Sequence, residues 1–250
     1  MTKNQSLERG LELLELVQKS DKPLGTRDMA RKLGVSPAAV QRLVNTLNER
    51  NYLARDPETR RYRVGYQAIL FGNAIARSDA LLVEGRRELE EVTRKLRVDS
   101  YMATLQGQNA FYLLCVTGEA LVSVRCEPGD TIPLHSTAIG KCILASLPDA
   151  EILEILGPGP YPAITGSTLT TPDSFLAEIE ATRERGYAIV ENENIEGITS
   201  VGALLDLPNA PSKTAISISF SPYFSKDIDT EEAAAVIQAA ARRISRSVAI

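Results

Sequence analysis

Four groups of residues carry types and spacings that could do chemistry. Ala138-Ile139-Gly140-Lys141-Cys142 has the ending of a phosphate-binding loop, in which backbone N–H groups and a lysine cradle a phosphate. The upstream glycine is absent, however, and Cys142 stands where a serine or threonine should hold the metal. His135-Ser136 pairs a base with a nucleophile, but sequence neighbours seldom meet in an attacking geometry, and the chain has no second histidine. His135 is therefore read as a structural or pocket-edge residue. Cys115, Cys126 and Cys142 are odd in number and lack metal-type spacing, so no disulfide framework or zinc cage is expected, and they read as small buried hydrophobes. No cofactor and no enzymatic activity follow from these three groups. The fourth is Ser36, Ala38, Ala39, Gln41, Arg42, Asn45 and Thr46, which share one face if residues 36–48 are helical. On the edges of bases, glutamine matches adenine, arginine matches guanine, and alanine meets the methyl of thymine. The plain alternative for Gln41 and Arg42 is a solvated surface.

The elements around this fourth group support nucleic-acid chemistry. Residues 1–78 carry 14 Lys/Arg and 8 Asp/Glu, a net of +6, while the rest of the chain nets −10. A basic module beside a larger acidic one points to a polyanion partner for the first part only. Leu7, Leu11 and Leu14 give a first amphipathic helix over 6–19, which Pro23 and Gly25 break. Thr26 is expected to cap a short helix ending at Leu33, and Gly34 permits a tight turn. Ser36 caps the next helix, with Pro37 at its first position, where the missing N–H costs nothing. Val40, Leu43, Val44 and Leu47 form its buried stripe, and a small Ala30 allows the helices to cross. Two helices joined by so short a turn are a helix-turn-helix. Residues 52–55 and 60–64, separated by Asp56-Pro57-Glu58, read as a two-stranded wing with a basic tip. Arg27, Arg31, Arg60 and Arg61 are placed to hold phosphates and make affinity salt-dependent, while Ser36 and its helix N-terminus suit one more.

Beyond the wing, residues 66–78 suit a linker helix and 81–96 a long amphipathic one. Strands are expected over 100–106, 110–116 and 121–125 as a meander, then helices over 136–146, 149–156 and 172–185. Further strands fall at 187–190, 199–205 and 213–220, and Asp229 with Glu232 resembles a capping box for a last helix to Ile250. Strands, helices and strands again without βαβ alternation indicate an α+β domain with an antiparallel sheet. The chain has 250 residues, 44% of them hydrophobic. It holds no stretch approaching the ~18 apolar residues of a membrane helix and no signal-peptide core near its start. A cytoplasmic protein without membrane association is expected.

Six stretches, in order, resemble the IclR family of bacterial transcription regulators. They are Ser6-Leu7-Glu8-Arg9-Gly10-Leu11, Leu33-Gly34-Val35-Ser36, Arg61-Tyr62-Arg63-Val64-Gly65, Leu134-His135-Ser136-Thr137-Ala138-Ile139-Gly140-Lys141, Arg185-Gly186-Tyr187-Ala188 and Ala215-Ile216-Ser217-Ile218-Ser219. The resemblance implies a winged helix-turn-helix over 1–65, a linker helix over 66–80, and an effector-binding domain with a GAF/PAS-like sheet over 81–250. It implies a homodimer or homotetramer on an approximately palindromic double-stranded DNA operator, and a small organic effector. By position, the family's effector pocket falls on Ala138, Ile139, Ser200, Ser217 and Ser219, with apolar walls from Val124, Ile132 and Ile198. Many relatives have cysteine at the place of Ser200 and an acid at that of Val190. Losing the acid lightens repulsion toward an anion, so a carboxylate with a hydrophobic or aromatic body is expected over a small keto acid. Two other classes compete: a pocket enzyme with a DNA-binding appendage, which would consume its ligand, and a protein-interaction module, which would bind DNA weakly and without sequence preference.

Overall fold

Capping chemistry sets the helix boundaries of the first part of the chain. The Asn4 side chain accepts from the backbone N–H groups of Ser6 and Leu7, opening α1 (Gln5–Gln18). The next helix, α2 (Thr26–Leu33), departs from expectation: Thr26 lies inside it, and Gly25 takes the cap position without a side-chain bond. Gly34 adopts φ 65° and donates its N–H to the Ala30 carbonyl, which reverses the chain at once. Ser36 then caps α3 (Pro37–Glu49), accepting from Ala39 N–H at 3.2 Å. The wing is β1 (Leu53–Arg55) antiparallel to β2 (Tyr62–Val64), tied back to the turn before α2 by paired Leu24 and Tyr62 backbone bonds of 2.8 and 2.9 Å. Leu13, Val17, Met29, Val40, Val44, Leu53 and Tyr62 make one core beneath these elements. Gly65 ends the wing for a steric reason, since a Cβ there would sit 2.1 Å from the Asn51 carbonyl oxygen. It leads into α4 (Gln67–Ser78), which buries no residue and leaves Ile69, Leu70, Phe71 and Ile75 exposed.

This computed structural model describes residues 4–208 and 210–248, and the chain divides into two compact units, Met1–Ser78 and Asp79–Ile250. The second unit opens with α5 (Ala80–Leu96), capped by Asp79. Six strands follow in one wholly antiparallel sheet: β3 (Asp99–Gln106), β4 (Asn109–Val116), β5 (Thr131–Ile132), β6 (Ala188–Glu191), β7 (Thr199–Leu204) and β8 (Thr214–Phe220). Their spatial order is β5-β4-β3-β8-β7-β6. Because side chains alternate along a strand, each strand feeds two cores. Met102, Ile216 and Ile218 pack with α5 and the last helix, α9 (Thr230–Val248). Ala103, Ala215 and Val190 pack with α6 (Ala138–Ala145), α7 (Asp149–Leu156) and α8 (Pro172–Arg185). Asp229 accepts from Glu231 N–H ahead of α9; the expected extension to Ala249 and Ile250 lies outside the described residues.

Two further expectations are corrected. Residues 121–125 are not a strand. Side chains hold the stretch instead: Asp99 accepts from Gly118 N–H, Ser123 Oγ and Val124 N–H, each at 2.8 Å, and the Tyr101 hydroxyl donates to the Val124 carbonyl at 2.7 Å. The edge position beside β4 goes instead to the two-residue β5. Helix α6 starts at Ala138 rather than at Ser136, because Thr137 accepts from Gly140 N–H and forms the cap.

Candidate functional site

Two glycines permit close backbone approach at the N-terminus of α6, one against the preceding loop and one against the sheet. A Cβ on Gly140 would lie 2.4 Å from the Leu134 carbonyl oxygen, and one on Gly202 of β7 would lie 3.0 Å from the Ala138 carbonyl. Between this helix end and the sheet is a small cavity. Its floor is Ser217 and Ser219 of β8, Ser200 of β7 and Val190 of β6; its far wall is Tyr101 of β3 and Tyr112 of β4. Thr137, Ala138 and Ile139 roof it, and Val124, Asn194, Ile195 and Ile198 close the rim. Eight of the nine residues expected to bind an effector are therefore gathered in one place. Ile132 is not among them: it sits on β5 opposite Ala110, buried in the core on that side of the sheet.

The cavity is polar without being charged, since no lysine, arginine, histidine, aspartate or glutamate lines it. Ser200 and Ser219 face each other across the β7–β8 pair, hydroxyl to hydroxyl at 2.8 Å. A strand covered on both faces is normally an apolar run, yet β8 turns two serines toward α6 while Ile216 and Ile218 face the other way. Among the first backbone N–H groups of α6, Gly140 is capped by Thr137 Oγ1 and Lys141 bonds the Thr137 carbonyl. The N–H groups of Ala138 and Ile139 remain as the open donors of a helix N-terminus. Burial pushes the phenols of Tyr101 and Tyr112 above the ordinary tyrosine value, so both stay neutral. Tyr101 spends its proton on Val124, which leaves it an acceptor toward the cavity.

Tyr101, Tyr112, Thr137, Asn194 and Ile195 were not anticipated as lining residues. A register shift between Met102 and Ala103 skips Leu113, so Tyr112 and Cys115 share a side of the sheet that plain alternation would separate, and Asn194 and Ile195 lie in a stretch without periodic signal. Behind the roof, Lys141 is fully buried and paired with Glu193 at 2.5 Å. Lys141 thus serves an internal ion pair. Burial raises the Glu193 carboxyl above the usual carboxylate range, with Lys141 opposing. Ser136 donates to Asn194 Oδ1 at 3.1 Å, and His135 is buried with its Nε2 2.9 Å from the Pro162 carbonyl. Cys142 is a buried hydrophobe whose thiol burial pushes up to about 12. Cys115 and Cys126 differ from expectation: both are only half-buried, and their Sγ atoms lie 3.2 Å apart.

In the first unit, Ser36 at the cap of α3 is exposed, as are Ala38, Gln41, Arg42 and Asn45 on the helix, and Ala39 is half-buried. Gln41 Nε2 donates to Asn45 Oδ1 at 2.8 Å, which holds the two amides side by side. Arg27 of α2 and Arg60 at the wing turn are exposed. Arg61 is anchored, donating to the Pro23 carbonyl at 3.1 Å and to Asp28 at 3.3 Å. Among the described residues, no group of three or more histidine, cysteine or acidic side chains could hold a metal ion, and no helix is long and apolar enough to cross a membrane.

Comparison with known proteins agrees with both halves of this description. A family model described as the IclR helix-turn-helix domain matches residues 6–57, and one described as the bacterial transcriptional regulator IclR C-terminal matches residues 74–246. The chain is 28% identical over 227 residues to the HTH-type transcriptional regulator XynR of Escherichia coli, covering 91% of this chain and 89% of that protein. Among solved structures it is similar to an IclR transcriptional regulator from Alicyclobacillus acidocaldarius, with TM-score 0.84 at 20% identity over 99% of this chain and 100% of the other. It is also similar to an IclR homologue from Microbacterium hydrocarbonoxydans crystallised with 4-hydroxybenzoate, with TM-score 0.80 at 20% identity over 98% and 99% of the two chains.

Proposed function

Because the chain belongs to the IclR family of transcriptional regulators, we propose that its operator binding is modulated by a small organic carboxylate with a hydrophobic or aromatic body, held in the cavity under α6. The observation that carries this reading is the donor set. Two open helix N-terminal N–H groups meet three serine hydroxyls in one uncharged cavity, and since Ser200 and Ser219 share a bond, one of that pair keeps a free proton beside Ser217. Donors of that kind satisfy a carboxylate without a full counter-charge, and the helix dipole adds to them. Tyr101, Tyr112, Val190, Val124 and Ile198 supply the walls for an apolar body. The 4-hydroxybenzoate bound by the Microbacterium homologue has the same division into carboxylate and ring.

In this proposal residues 1–65 read DNA, 66–80 link, and 81–250 bind the effector. Gln41, Arg42, Asn45, Ala38 and Ala39 face base edges, while Arg27, Ser36, Arg60 and Arg61 hold phosphates. Two winged helices in a homodimer or homotetramer read two half-sites of an approximately palindromic operator. The ligand shifts this binding only through its different affinities for the DNA-competent and incompetent arrangements. Calorimetric titration with benzoate, 4-hydroxybenzoate, pyruvate and glyoxylate tests the chemistry: aryl acids are expected to bind more tightly. Tighter binding of pyruvate or glyoxylate overturns it, and a ligand consumed during incubation, seen by mass spectrometry, favours an enzyme instead.

A further inference from the structure

We propose that Cys115 and Cys126 are a site of reversible oxidation, at which a peroxide joins the two thiols in a disulfide that fastens residues 117–130 to β4 beside the cavity. Three observations carry this. The Sγ atoms are already 3.2 Å apart, in a chain whose third cysteine, Cys142, is buried in α6. Both residues are half-buried, and Cys126 lines an open depression with Thr117, Ser123, Arg125, Glu127 and Asp130, through which a small oxidant reaches the pair. Finally, one partner can move. Closing to a disulfide requires a shift of about 1.2 Å, to about 2.05 Å. Cys115 is fixed in the β3–β4 ladder, whereas Cys126 lies in a strandless stretch tied at Val124 and at Gly129 and Asp130, with no strand pairing at Cys126 itself.

The two sulfurs are chemically unequal. Either thiol can donate in the S–H···S contact; with Cys126 donating, a thiolate on Cys115 is stabilised and its pKa is lowered below the ordinary cysteine value, against the opposing effect of burial. Cys115 is therefore the attacking sulfur, since the thiolate is the nucleophile. Its thiolate attacks one oxygen of hydrogen peroxide; the S–O bond forms, the O–O bond breaks, and the departing hydroxide takes up the Cys115 proton as water. Cys126 then attacks the resulting sulfenic sulfur. The S–S bond forms, the S–O bond breaks, and the released hydroxide leaves with the Cys126 proton as a second water. Two electrons pass from the two sulfurs to one peroxide, and exchange with a dithiol reverses the change.

The bond falls between two walls of the cavity. Tyr112 lies on the strand that bears Cys115, and Val124 precedes Cys126 by two residues. The crosslink thus restrains Val124 against Tyr112. This chemistry is independent of the effector reading, because its test reads thiols and backbone exchange and needs no ligand.

Trypsin separates the three cysteines into peptides 98–125, 126–141 and 142–183. After hydrogen peroxide treatment of the full chain, alkylation and digestion without reductant, peptide 98–125 is expected joined to 126–141, lighter by two hydrogens. Alkylatable thiols fall from three to one, and dithiothreitol restores them. Amide exchange of peptides spanning 117–130 slows in the oxidised protein. In C126S, peroxide should instead leave a sulfenic acid on Cys115 that dimedone captures. Separate alkylation of Cys115 and Cys126 after peroxide, a crosslink to Cys142 or to a second chain, unchanged exchange over 117–130, or no dimedone adduct in C126S each overturns the proposal.

Discussion

Replacing Lys141 with methionine removes the cation that shares a closed space with Glu193, and its effect can be worked from the structure. The lysine side chain is 0% exposed and that of Glu193 11%. Removing one partner of such a pair leaves an uncompensated buried charge, which costs about 3–5 kcal/mol. That is a large share of the ~5–15 kcal/mol by which folded domains are stable. The loss depends on pH with a definite sign. Burial raises the Glu193 carboxyl in the folded protein even with Lys141 present, and raises it further without it. A carboxyl that holds its proton longer when folded than when unfolded favours folding at acid pH. The penalty of K141M is therefore small below about pH 4.3 and grows by about 1.4 kcal/mol per pH unit until the folded carboxyl ionises. Urea unfolding of the second unit, followed by circular dichroism at about pH 5 and about pH 7.5, reads the difference. Changing Glu193 to methionine in the same chain removes the stranded charge and should restore most of the lost stability, since apolar replacement of a buried pair is often near neutral. A K141M loss that is equal at both pH values, or a double variant less stable than K141M, refutes the reasoning.

Three other outcomes are expected. Arg42→Ala should weaken binding to an operator fragment in fluorescence anisotropy and relax base choice by about 1–3 kcal/mol at one position; an equal loss on operator and unrelated DNA reduces Arg42 to a phosphate contact. Ser219→Ala should weaken calorimetric binding of 4-hydroxybenzoate and leave ligand-free operator affinity unchanged; unaltered ligand affinity removes Ser219 from the site. Asp99→Ala deletes the acceptor of three 2.8 Å bonds to the 118–124 segment. Since a hydrogen bond to a charged group contributes about 1.5–3 kcal/mol, amide exchange across that segment should rise at least tenfold, and unchanged exchange shows that Tyr101 alone holds it.

Local chemistry was legible in the sequence wherever a boundary is decided by a single residue. Ser36-Pro37 and Thr171-Pro172 open helices, and Gly34 and Gly186 close them in left-handed conformation. Reading failed where the deciding partner is remote. The apolar alternation of 121–125 looks the same whether its backbone bonds to a neighbouring strand or to Asp99, some twenty residues earlier. Lys141 and Glu193 are 52 residues apart, and nothing local marks either as paired. For the cavity, family resemblance placed the serines and the α6 end. It did not supply Tyr101 and Tyr112, whose face is fixed by long-range register. Residue type alone makes Cys115 and Cys126 small buried hydrophobes, whereas the segment carrying Cys126 runs along the surface.

The Ser200–Ser219 contact has a consequence for how many ligands one cavity can serve. A bond between two hydroxyls has no built-in polarity: either oxygen can donate, and reversing the direction turns two protons while every heavy atom stays in place. In each orientation the receiving hydroxyl keeps a proton free, on β8 in one case and on β7 in the other. Under the proposed function, the arriving ligand's oxygen selects which strand answers it, much as a guest molecule orders protons in ice. On that reading such a floor discriminates little between acids that place their oxygen over one strand or the other, so selectivity would fall to the walls of Tyr101, Tyr112 and Val190.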